Sequence, residues 1–294
     1  MSDVEYEVTG AVARLTLNRP ERGNGITRRL LDELESSVER ADLDPEVRAL
    51  LLAGAGTGFC GGYDLVESAE GMGEVDATEG DGRSGSALDR SVIRRNHDPA
   101  QTWDPMLDYA MMSRNVRSFM SLATCTKPVV CKVHGFCVAG GTDLALCADL
   151  LVVAADAKIG YPPARVWGSP TTALWARRVG EQRAKRLLFT GDSLSGTQAA
   201  EWGLAAEAWP AEELDQRVEA LCERIARLPL NQLQMMKLLV DHSGDLESAQ
   251  VLGTLLDGIA RHTKEGYAFQ ALAAREGFRE AVRQRDEPFG DFGR

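Results

Sequence analysis

The sequence contains two segments in which a buried strand leads into a glycine-rich turn and then a helix. The first is ALLLAGAGTGFCGGYDL (49–65), and the second is PVVCKVHGFCVAGGTDLALCADL (128–150). Glycine lets the backbone approach a ligand closely, and the first N–H groups of a helix have no partner within it. Two such turns aimed at one point can stabilise an oxygen that gains negative charge during a reaction. Either turn alone is equally consistent with an ordinary strand-to-helix connection.

A dinucleotide site is the competing interpretation of the first turn. The residues from Gly56 to Gly61 fit the G-x-G-x-x-G pattern that follows a strand in dinucleotide-binding folds. That pattern requires a helix directly after it and, about 20 residues further on, an acid at the end of a second strand. Here this position falls at Glu79 and Asp81, inside a glycine-rich stretch without a strand pattern. The sequence therefore argues against a dinucleotide site.

Composition excludes several functional classes. A formal net charge of -11 over 294 residues argues against nucleic acid as a main partner. The first residues are acidic where a secretory leader would be basic, and no apolar run approaches the roughly 20 residues of a membrane span. We therefore expect a cytoplasmic protein without a membrane partner.

The six cysteines form no CxxC pair and the four histidines are scattered, so no metal site is expected and the thiols should be reduced and mostly buried.

Hydrophobic periodicity predicts strands in the first half of the chain and helices in the last third, which indicates a layered α/β core followed by a helical tail. Residues 66–106 break the pattern and are interpreted as an insertion, either a mobile lid or a solvated surface excursion. The predicted elements are strands over 11–17, 47–53, 127–133 and 150–154, a helix with Thr27 as its N-cap, a helix over 107–123, a loop over 135–141 followed by a helix from Asp143, and helices that begin near Glu181, Ser195, Ala211, Asn231, Leu246 and Glu265.

Four segments resemble, in the same order, motifs of the crotonase (enoyl-CoA hydratase/isomerase) superfamily. They are LTLNRPERGNGIT (15–27), FCGGYDL (59–65), KPVVCKVHGFCVAGGTDLALCAD (127–149) and LLFTGDSLSGTQAAEWGL (187–204). The resemblance implies an α/β fold with a core of ββα spiral turns over 1–205 and a helical C-terminal region over 206–294. It also implies assembly into a homotrimer or a dimer of trimers. The ligand would be an acyl-CoA thioester, with coenzyme A as part of the substrate and no separate cofactor.

The resemblance also assigns site residues by position. The oxyanion donors would be the backbone N–H groups of Tyr63 and Gly140, and Asp143 stands where hydratases have one of two catalytic glutamates. Because residues i and i+3 share one face of a helix, the spacing from Gly140 to Asp143 supports a catalytic role. The alternative is that Asp143 only stabilises a helix N-terminus. Contacts with coenzyme A would come from Arg22, Asn24, Gly25, Gly61, Gly62 and Gly141.

The sequence departs from the family at the second acid. Pro163 occupies the expected glutamate position in IGYPPARVWGSPTTALWARRVG (159–180), and proline can neither donate nor accept a proton. Hydration by the usual route therefore loses half of its acid/base pair. The general expectation is an enzyme of the enoyl-CoA hydratase/isomerase type. Enoyl-CoA isomerisation, another lyase or hydrolase reaction with a single acid, and a catalytically silent acyl-CoA-binding protein remain open. RNA binding, known among relatives, would need a basic helix that this sequence lacks.

Overall fold

A computed structural model describes residues 2–64, 85–86, 88–165, 168–244 and 246–290. These residues form a six-stranded sheet of β1 (Val4–Thr9), β2 (Val12–Leu17), β3 (Ala49–Gly54), β4 (Val129–Val133), β6 (Leu150–Ala154) and β9 (Glu207–Trp209). The strands lie in the order β1-β2-β3-β4-β6-β9, antiparallel between β1 and β2 and parallel elsewhere. All six residues of β3 are buried, as expected for a central strand covered on both faces.

A second, three-stranded sheet lies beside the first and corrects part of the sequence interpretation. It contains β5 (Phe136–Val138), β7 (Lys158–Gly160) and β8 (Ser193–Ser195), with β7 in the middle. The prediction of a loop over 135–141 was wrong, because this segment includes β5. A strand of three residues is too short to produce a periodic pattern, and its residues pair with residues of β7 that lie 22 positions further along the chain.

Most predicted helices are confirmed, with small differences at their ends. Thr27 caps α1 as predicted, because its hydroxyl accepts a hydrogen bond of 3.1 Å from the Leu30 N–H. The helix predicted from Asp143 begins three residues earlier, at Gly140. The helices are α1 (Arg28–Leu43), α2 (Arg90–Asn96), α3 (Pro105–Thr124), α4 (Gly140–Ala145), α5 (Leu174–Val179), α6 (Glu181–Thr190), α7 (Gly196–Glu201), α8 (Ala211–Ala226), α9 (Leu230–Asp241), α10 (Leu246–Arg261), α11 (Lys264–Glu276) and α12 (Phe278–Asp286).

Only part of the predicted insertion over 66–106 lies within the described residues. Residues 65–84 and 87 lie outside the described residues, so the proposed lid over this stretch stays a prediction. The end of the insertion is more regular than the sequence suggested, because α2 and the start of α3 fall within it. Asp89 and Asp104 cap these two helices, accepting hydrogen bonds of 2.8 Å from the Ser91 and Met106 N–H groups. Aspartate is a common N-cap residue and marks the start of a helix in a sequence. The many glycines and charged residues of this stretch obscured that signal.

Among the described residues after 206, β9 joins the main sheet at its edge and the other regular elements are helices. Helix α8 packs on that sheet through buried Leu214, Val218 and Cys222. Across the described ranges, no helix combines the length and the apolar character needed to span a membrane. The same ranges bring together no group of three metal-ligating side chains.

Candidate active site

The first glycine-rich turn is held between two neighbouring stretches of backbone. On one side, the Cys60 N–H donates to the Phe136 carbonyl (3.2 Å) and the Val138 N–H donates to the Cys60 carbonyl (3.0 Å). On the other side, the Ile26 N–H donates to the Gly62 carbonyl (2.8 Å). The peptide that follows Gly62 is therefore fixed both by β5 and by the segment that leads into α1.

The second glycine-rich turn directs the first residues of α4 towards the first glycine-rich turn. Ala139 has φ 55° and ψ -130°, a combination that residues with a side chain rarely adopt. A hydrogen bond of 3.1 Å from its N–H to the Gly160 carbonyl anchors this residue to β7. The sharp change of direction makes Gly140 the first residue of the helix, where its N–H has no partner inside the helix.

The two turns touch at positions that only glycine can occupy. A Cβ on Gly62, whose φ is +98°, would lie 2.8 Å from the Ala139 Cβ and 3.2 Å from the Gly140 nitrogen. A Cβ on Gly141 would lie 2.5 Å from the Cys60 carbonyl oxygen. Real Cβ atoms do not come this close to backbone, so the contact between the turns depends on both glycines.

The predicted oxyanion pair, Tyr63 and Gly140, comes together at this contact. The Tyr63 ring packs over Gly140, so that a Cβ there would lie 3.1 Å from the ring atoms Cδ2 and Cε2. Over the part of the chain that the structure describes, neither the Tyr63 nor the Gly140 backbone N–H donates a hydrogen bond. Two backbone N–H groups without a partner in the described residues therefore belong to turns that contact each other.

Asp143 lies one turn of helix further on and is completely buried. Its Oδ1 accepts hydrogen bonds from the Thr172 N–H (3.1 Å) and the Thr172 hydroxyl (2.8 Å), whereas its Oδ2 is buried without a partner among the described residues. Burial raises the pKa of Asp143, and the two hydrogen bonds from Thr172 offset part of that rise. The hydrogen bonds observed for this carboxyl group come from the segment before α5, not from the N–H groups of α4.

Sequence reasoning missed the role of Thr172. The Thr171-Thr172 pair was noted only as a departure from the family pattern, and no local signal connects it with an acid 29 residues earlier. The two segments meet because β7 and the turn after it return the chain to the start of α4. A hydroxyl and an N–H from one residue then fix one oxygen of Asp143.

Several predicted coenzyme A contacts are used to build the turns. Asn24 is fully buried, and its amide nitrogen donates to the carbonyls of Ala55, Gly58 and Phe59 at 2.9–3.0 Å. Its Oδ1 accepts a hydrogen bond of 2.9 Å from the Arg19 N–H. The Asn24 side chain therefore holds the first turn in shape, and its contact with coenzyme A stays a prediction.

Arg22 and Asp64 form a bidentate ion pair. The Arg22 Nε and Nη2 donate to the two Asp64 oxygens at 3.1 and 2.8 Å, and Arg19 Nη2 lies 3.0 Å from Asp64 Oδ2. The Asp64 side chain is only 4% exposed, whereas that of Arg22 is 34% exposed. Asp64 thus ties the turn before α1 to the turn after β3, and part of the Arg22 guanidinium still faces solvent.

Pro163 lies in a short 3-10 turn, Pro162–Arg165, between β7 and α5. Its carbonyl accepts a hydrogen bond of 3.1 Å from the Gly168 N–H, and its ring supplies no ionisable group. The nearby Tyr161 phenol donates to the Ser169 carbonyl at 2.9 Å. Desolvation and the charge of Asp143 raise the pKa of Tyr161 to about 12, so this phenol is neutral at physiological pH.

Comparison with known proteins identifies the family. Residues 7–85 and 103–287 match the family described as enoyl-CoA hydratase/isomerase. The chain belongs to this family. The resemblance to the crotonase superfamily is thereby confirmed, together with the α/β class of the fold.

Individual relatives cover most of the chain. The 1,2-epoxyphenylacetyl-CoA isomerase of Escherichia coli is 32% identical over 241 residues, which are 81% of each protein. A putative enoyl-CoA hydratase of Thermus thermophilus is 30% identical over 87% of this chain and 93% of the relative. The crystal structure of an enoyl-CoA hydratase from Mycobacterium smegmatis is 54% identical, covers 99% of this chain and 95% of its own, and superposes with a TM-score of 0.75.

Proposed function

We propose that this member of the enoyl-CoA hydratase/isomerase family binds an acyl-CoA thioester and stabilises its enolate. The backbone N–H groups of Tyr63 and Gly140 would hold the thioester oxygen, and Asp143 would move the proton. The observation that carries the proposal is the position of two uncommitted N–H donors one helical turn from a carboxyl oxygen without a partner. Oxyanion donors of this kind contribute about 3–4 kcal/mol each in other enzymes.

Proton transfer within the acyl chain fits this site better than hydration. Hydration in this family requires a second acid to hold and activate the water, and Pro163 occupies its position. Isomerisation needs one group that removes a proton and returns it elsewhere. Asp143 Oδ2 would take a proton from C2 of a 3-enoyl thioester, and the negative charge would move to the thioester oxygen. The same carboxyl group would then deliver the proton to C4, which gives the 2-enoyl thioester with no other reactant.

Coenzyme A would lie along the first turn, where Arg22 and Gly61 are accessible to solvent. Gly25, Gly62 and Gly141 would contribute by shaping the backbone, because a side chain at any of them would contact neighbouring atoms at 3.0 Å or less. The part of the Arg22 guanidinium that faces solvent would contact a phosphate group while its ion pair with Asp64 holds it in place.

Absorbance measurements with two substrates test the proposal. A 3-enoyl-CoA becomes conjugated on isomerisation and gains ultraviolet absorbance, whereas crotonyl-CoA loses it on hydration. We expect turnover of the 3-enoyl-CoA and, by comparison, little loss of crotonyl-CoA. Hydration of crotonyl-CoA at a comparable rate would contradict the preference for isomerisation. Binding of both thioesters without turnover would instead indicate a silent acyl-CoA-binding protein.

We also propose that the helical C-terminal region forms the contact between subunits. Helix α10 carries Val251, Leu255 and Ile259 four residues apart, and each of them is more than half exposed. Residues spaced in this way share one face of a helix, so they form an apolar stripe. An exposed apolar surface is a common mark of a protein interface, and the trimer that the superfamily implies would cover it.

Replacing Leu255 with glutamate should disrupt this assembly. A charge at the centre of the stripe would have to be buried in the interface, which is strongly unfavourable without a partner. Light scattering after size-exclusion chromatography should show an oligomer for the unaltered chain and a smaller species for Leu255→Glu. Leu43→Glu is the matched control, because Leu43 at the end of α1 is exposed but isolated from the stripe. An unchanged mass for Leu255→Glu would rule out this face as the interface.

A further inference from the structure

The Arg28 side chain joins the start of α1 to the middle of α3. Its Nη1 donates a hydrogen bond of 3.0 Å to Asn115 Oδ1, and its Nη2 donates one of 3.3 Å to the Ser118 hydroxyl. On its own helix, Arg28 Nε donates to Asp32 Oδ1 at 3.0 Å. Because a guanidinium group is planar and directs its donors along fixed lines, these contacts hold the two helices in one relative position.

This group of contacts is well enclosed for a site that begins at a helix terminus. The Arg28 side chain is 22% exposed, and Ser118 is fully buried. The Ser118 hydroxyl in turn donates to Glu35 Oε2 at 2.8 Å, so that α1 and α3 are joined by a second polar contact. Packing of the two helices would by itself explain these bonds. The position of Asn115 beside Tyr63 gives them a further consequence.

Two residues of α3 contact the Tyr63 side chain. Phe119 packs against the Tyr63 ring, with 6.3 Å between the ring centroids, and Asn115 lies one helical turn before Phe119. Burial raises the pKa of the Tyr63 phenol, and a hydrogen bond with the Asn115 side chain lowers it. A group that lowers the pKa of a phenol is one that donates to its oxygen. The Asn115 amide nitrogen therefore faces the phenol, while the Oδ1 atom of the same amide accepts from Arg28.

The Tyr63 residue is held by three separate parts of the chain. Its backbone pairs with Ile26, two residues before α1, and the next N–H, that of Asp64, donates to the Ile26 carbonyl at 3.0 Å. Its ring packs over Gly140 at the start of α4 and against Phe119 of α3. A shift of α3 relative to α1 would therefore move the ring, and with it the peptide N–H that faces Gly140.

We infer that Arg28 is a positioning residue for the oxyanion donor of Tyr63 and that it acts through Asn115. Arg28 fixes the orientation of the Asn115 amide, this amide holds the Tyr63 phenol, and the held ring fixes the direction of the Tyr63 N–H. Arg28 itself is assigned no contact with the ligand. This inference rests on the proposed function, since it requires a thioester oxygen bound by the Tyr63 N–H.

The infrared spectrum of a bound thioester measures this role. The isotope-labelled carbonyl of butyryl-CoA absorbs at a lower wavenumber when hydrogen bonds polarise it, and the saturated chain lacks the double bond that would react. We expect binding to the unaltered protein to lower the wavenumber, and Arg28→Gln to reduce this shift with little change in Kd. Only bound ligand gives the signal, so a variant that merely folds less completely would show the full shift. The kcat for a 3-enoyl-CoA should fall about 10- to 100-fold, as expected for a misplaced group.

A double-mutant cycle with Tyr63→Phe tests the path through Asn115. Tyr63→Phe keeps the ring and the backbone N–H but removes the hydroxyl that contacts the amide. In this background Arg28→Gln should lower kcat by less than about 2-fold, because the contact through which it acts is already lost. Equal fold losses in both backgrounds would mean that Arg28 acts only on the packing of α1 against α3, and they would overturn the inference.

Two further variants separate the effect from general changes in α1. Arg29→Gln is the matched control, because Arg29 is the neighbouring arginine and likewise pairs with an acid four residues later, Glu33, at 2.9 Å. It should retain the full wavenumber shift. Asn115→Leu removes the acceptor for Arg28 and the donor to Tyr63 with little change in volume. It should reduce the shift even if Arg28→Gln does not fold.

The outcomes distinguish the inference from the proposed function. A full wavenumber shift in Arg28→Gln, or in Asn115→Leu where Arg28→Gln does not fold, would overturn the inference alone. If butyryl-CoA does not bind to the unaltered protein, or binds without a change in its carbonyl wavenumber, the proposed function fails and the inference fails with it.

Discussion

Replacing Asp143 with asparagine is expected to lower kcat for a 3-enoyl-CoA by about 100- to 10,000-fold, the usual contribution of a general acid or base. Asparagine keeps an Oδ1 atom for the two hydrogen bonds from Thr172, so the geometry of the site should persist. It cannot accept and return a proton. KM should change little, because Asp143 is assigned no contact with the coenzyme A part of the ligand. Stopped-flow or steady-state absorbance assays measure both constants.

The same variant has an expected effect on stability with a defined sign. Burial holds the pKa of Asp143 above 3.8, its ordinary value, so above that pH the folded state retains a proton that the unfolded state has released. The free energy of unfolding of the unaltered protein therefore falls as the pH rises from the unfolded-state pKa to the folded-state pKa, and this contribution is constant at higher pH. Asparagine has no charge to bury, so Asp143→Asn should be at least as stable at pH 7 and should lose this pH dependence.

Urea unfolding between pH 4 and pH 8, with enzyme assays at each pH, tests both expectations. Asp215→Asn is a suitable control, because Asp215 is 80% exposed and pairs with Lys132 at the surface. It should leave kcat unchanged. A loss of stability at pH 7 that parallels the loss of activity in Asp143→Asn would indicate that Asp143 is structural. Full activity in a stable Asp143→Asn would remove it from the mechanism.

Replacing Gly141 with alanine is expected to reduce kcat/KM by about 100- to 1,000-fold, the effect of losing one oxyanion donor. The new methyl group would lie 2.5 Å from the Cys60 carbonyl oxygen and 3.0 Å from the Cys60 Cβ. The two turns must separate to relieve this contact, and the Tyr63 and Gly140 N–H groups would then no longer converge. Crowding in a packed region also costs about 1–3 kcal/mol of stability.

Thermal unfolding and steady-state kinetics of Gly141→Ala measure these two effects separately. Gly244→Ala is the matched control, because a Cβ there meets no atom within 4 Å and its φ lies outside the left-handed region. This control should keep both its activity and its melting temperature. Full activity of Gly141→Ala would show that the contact between the turns does not position the donors.

Sequence patterns predicted the secondary structure correctly where an element was long and amphipathic, or was buried along its whole length. The helix capped by Thr27 and the strand over 150–154 were predicted correctly, because a capping hydroxyl and an uninterrupted apolar run are local signals. The shortest strands were not predicted. β5, β7 and β8 have three residues each and form only because they pair with one another across the fold.

The same distinction between local and long-range features applies to the candidate site. The two glycine-rich turns could be identified from the sequence, since each depends on residues close together in a recognisable motif. The roles of Tyr63, Gly140 and Pro163 were assigned by resemblance to the family, and they stay predictions. The positions of Thr171 and Thr172 beside Asp143 could not be predicted. They depend on a return of the chain after β7 that no local pattern encodes.

The sequence by itself determined the class of fold, the family and the place where two turns could meet, because glycine spacing and buried strands are local properties of the chain. Only the tertiary structure decided how close the turns come and which atoms remain unpaired there. Contact between Gly62 and Ala139 and the burial of Asp143 arise from packing between distant segments. Desolvation and hydrogen-bond satisfaction depend on that packing, and they give the oxygens of this site their proposed chemistry.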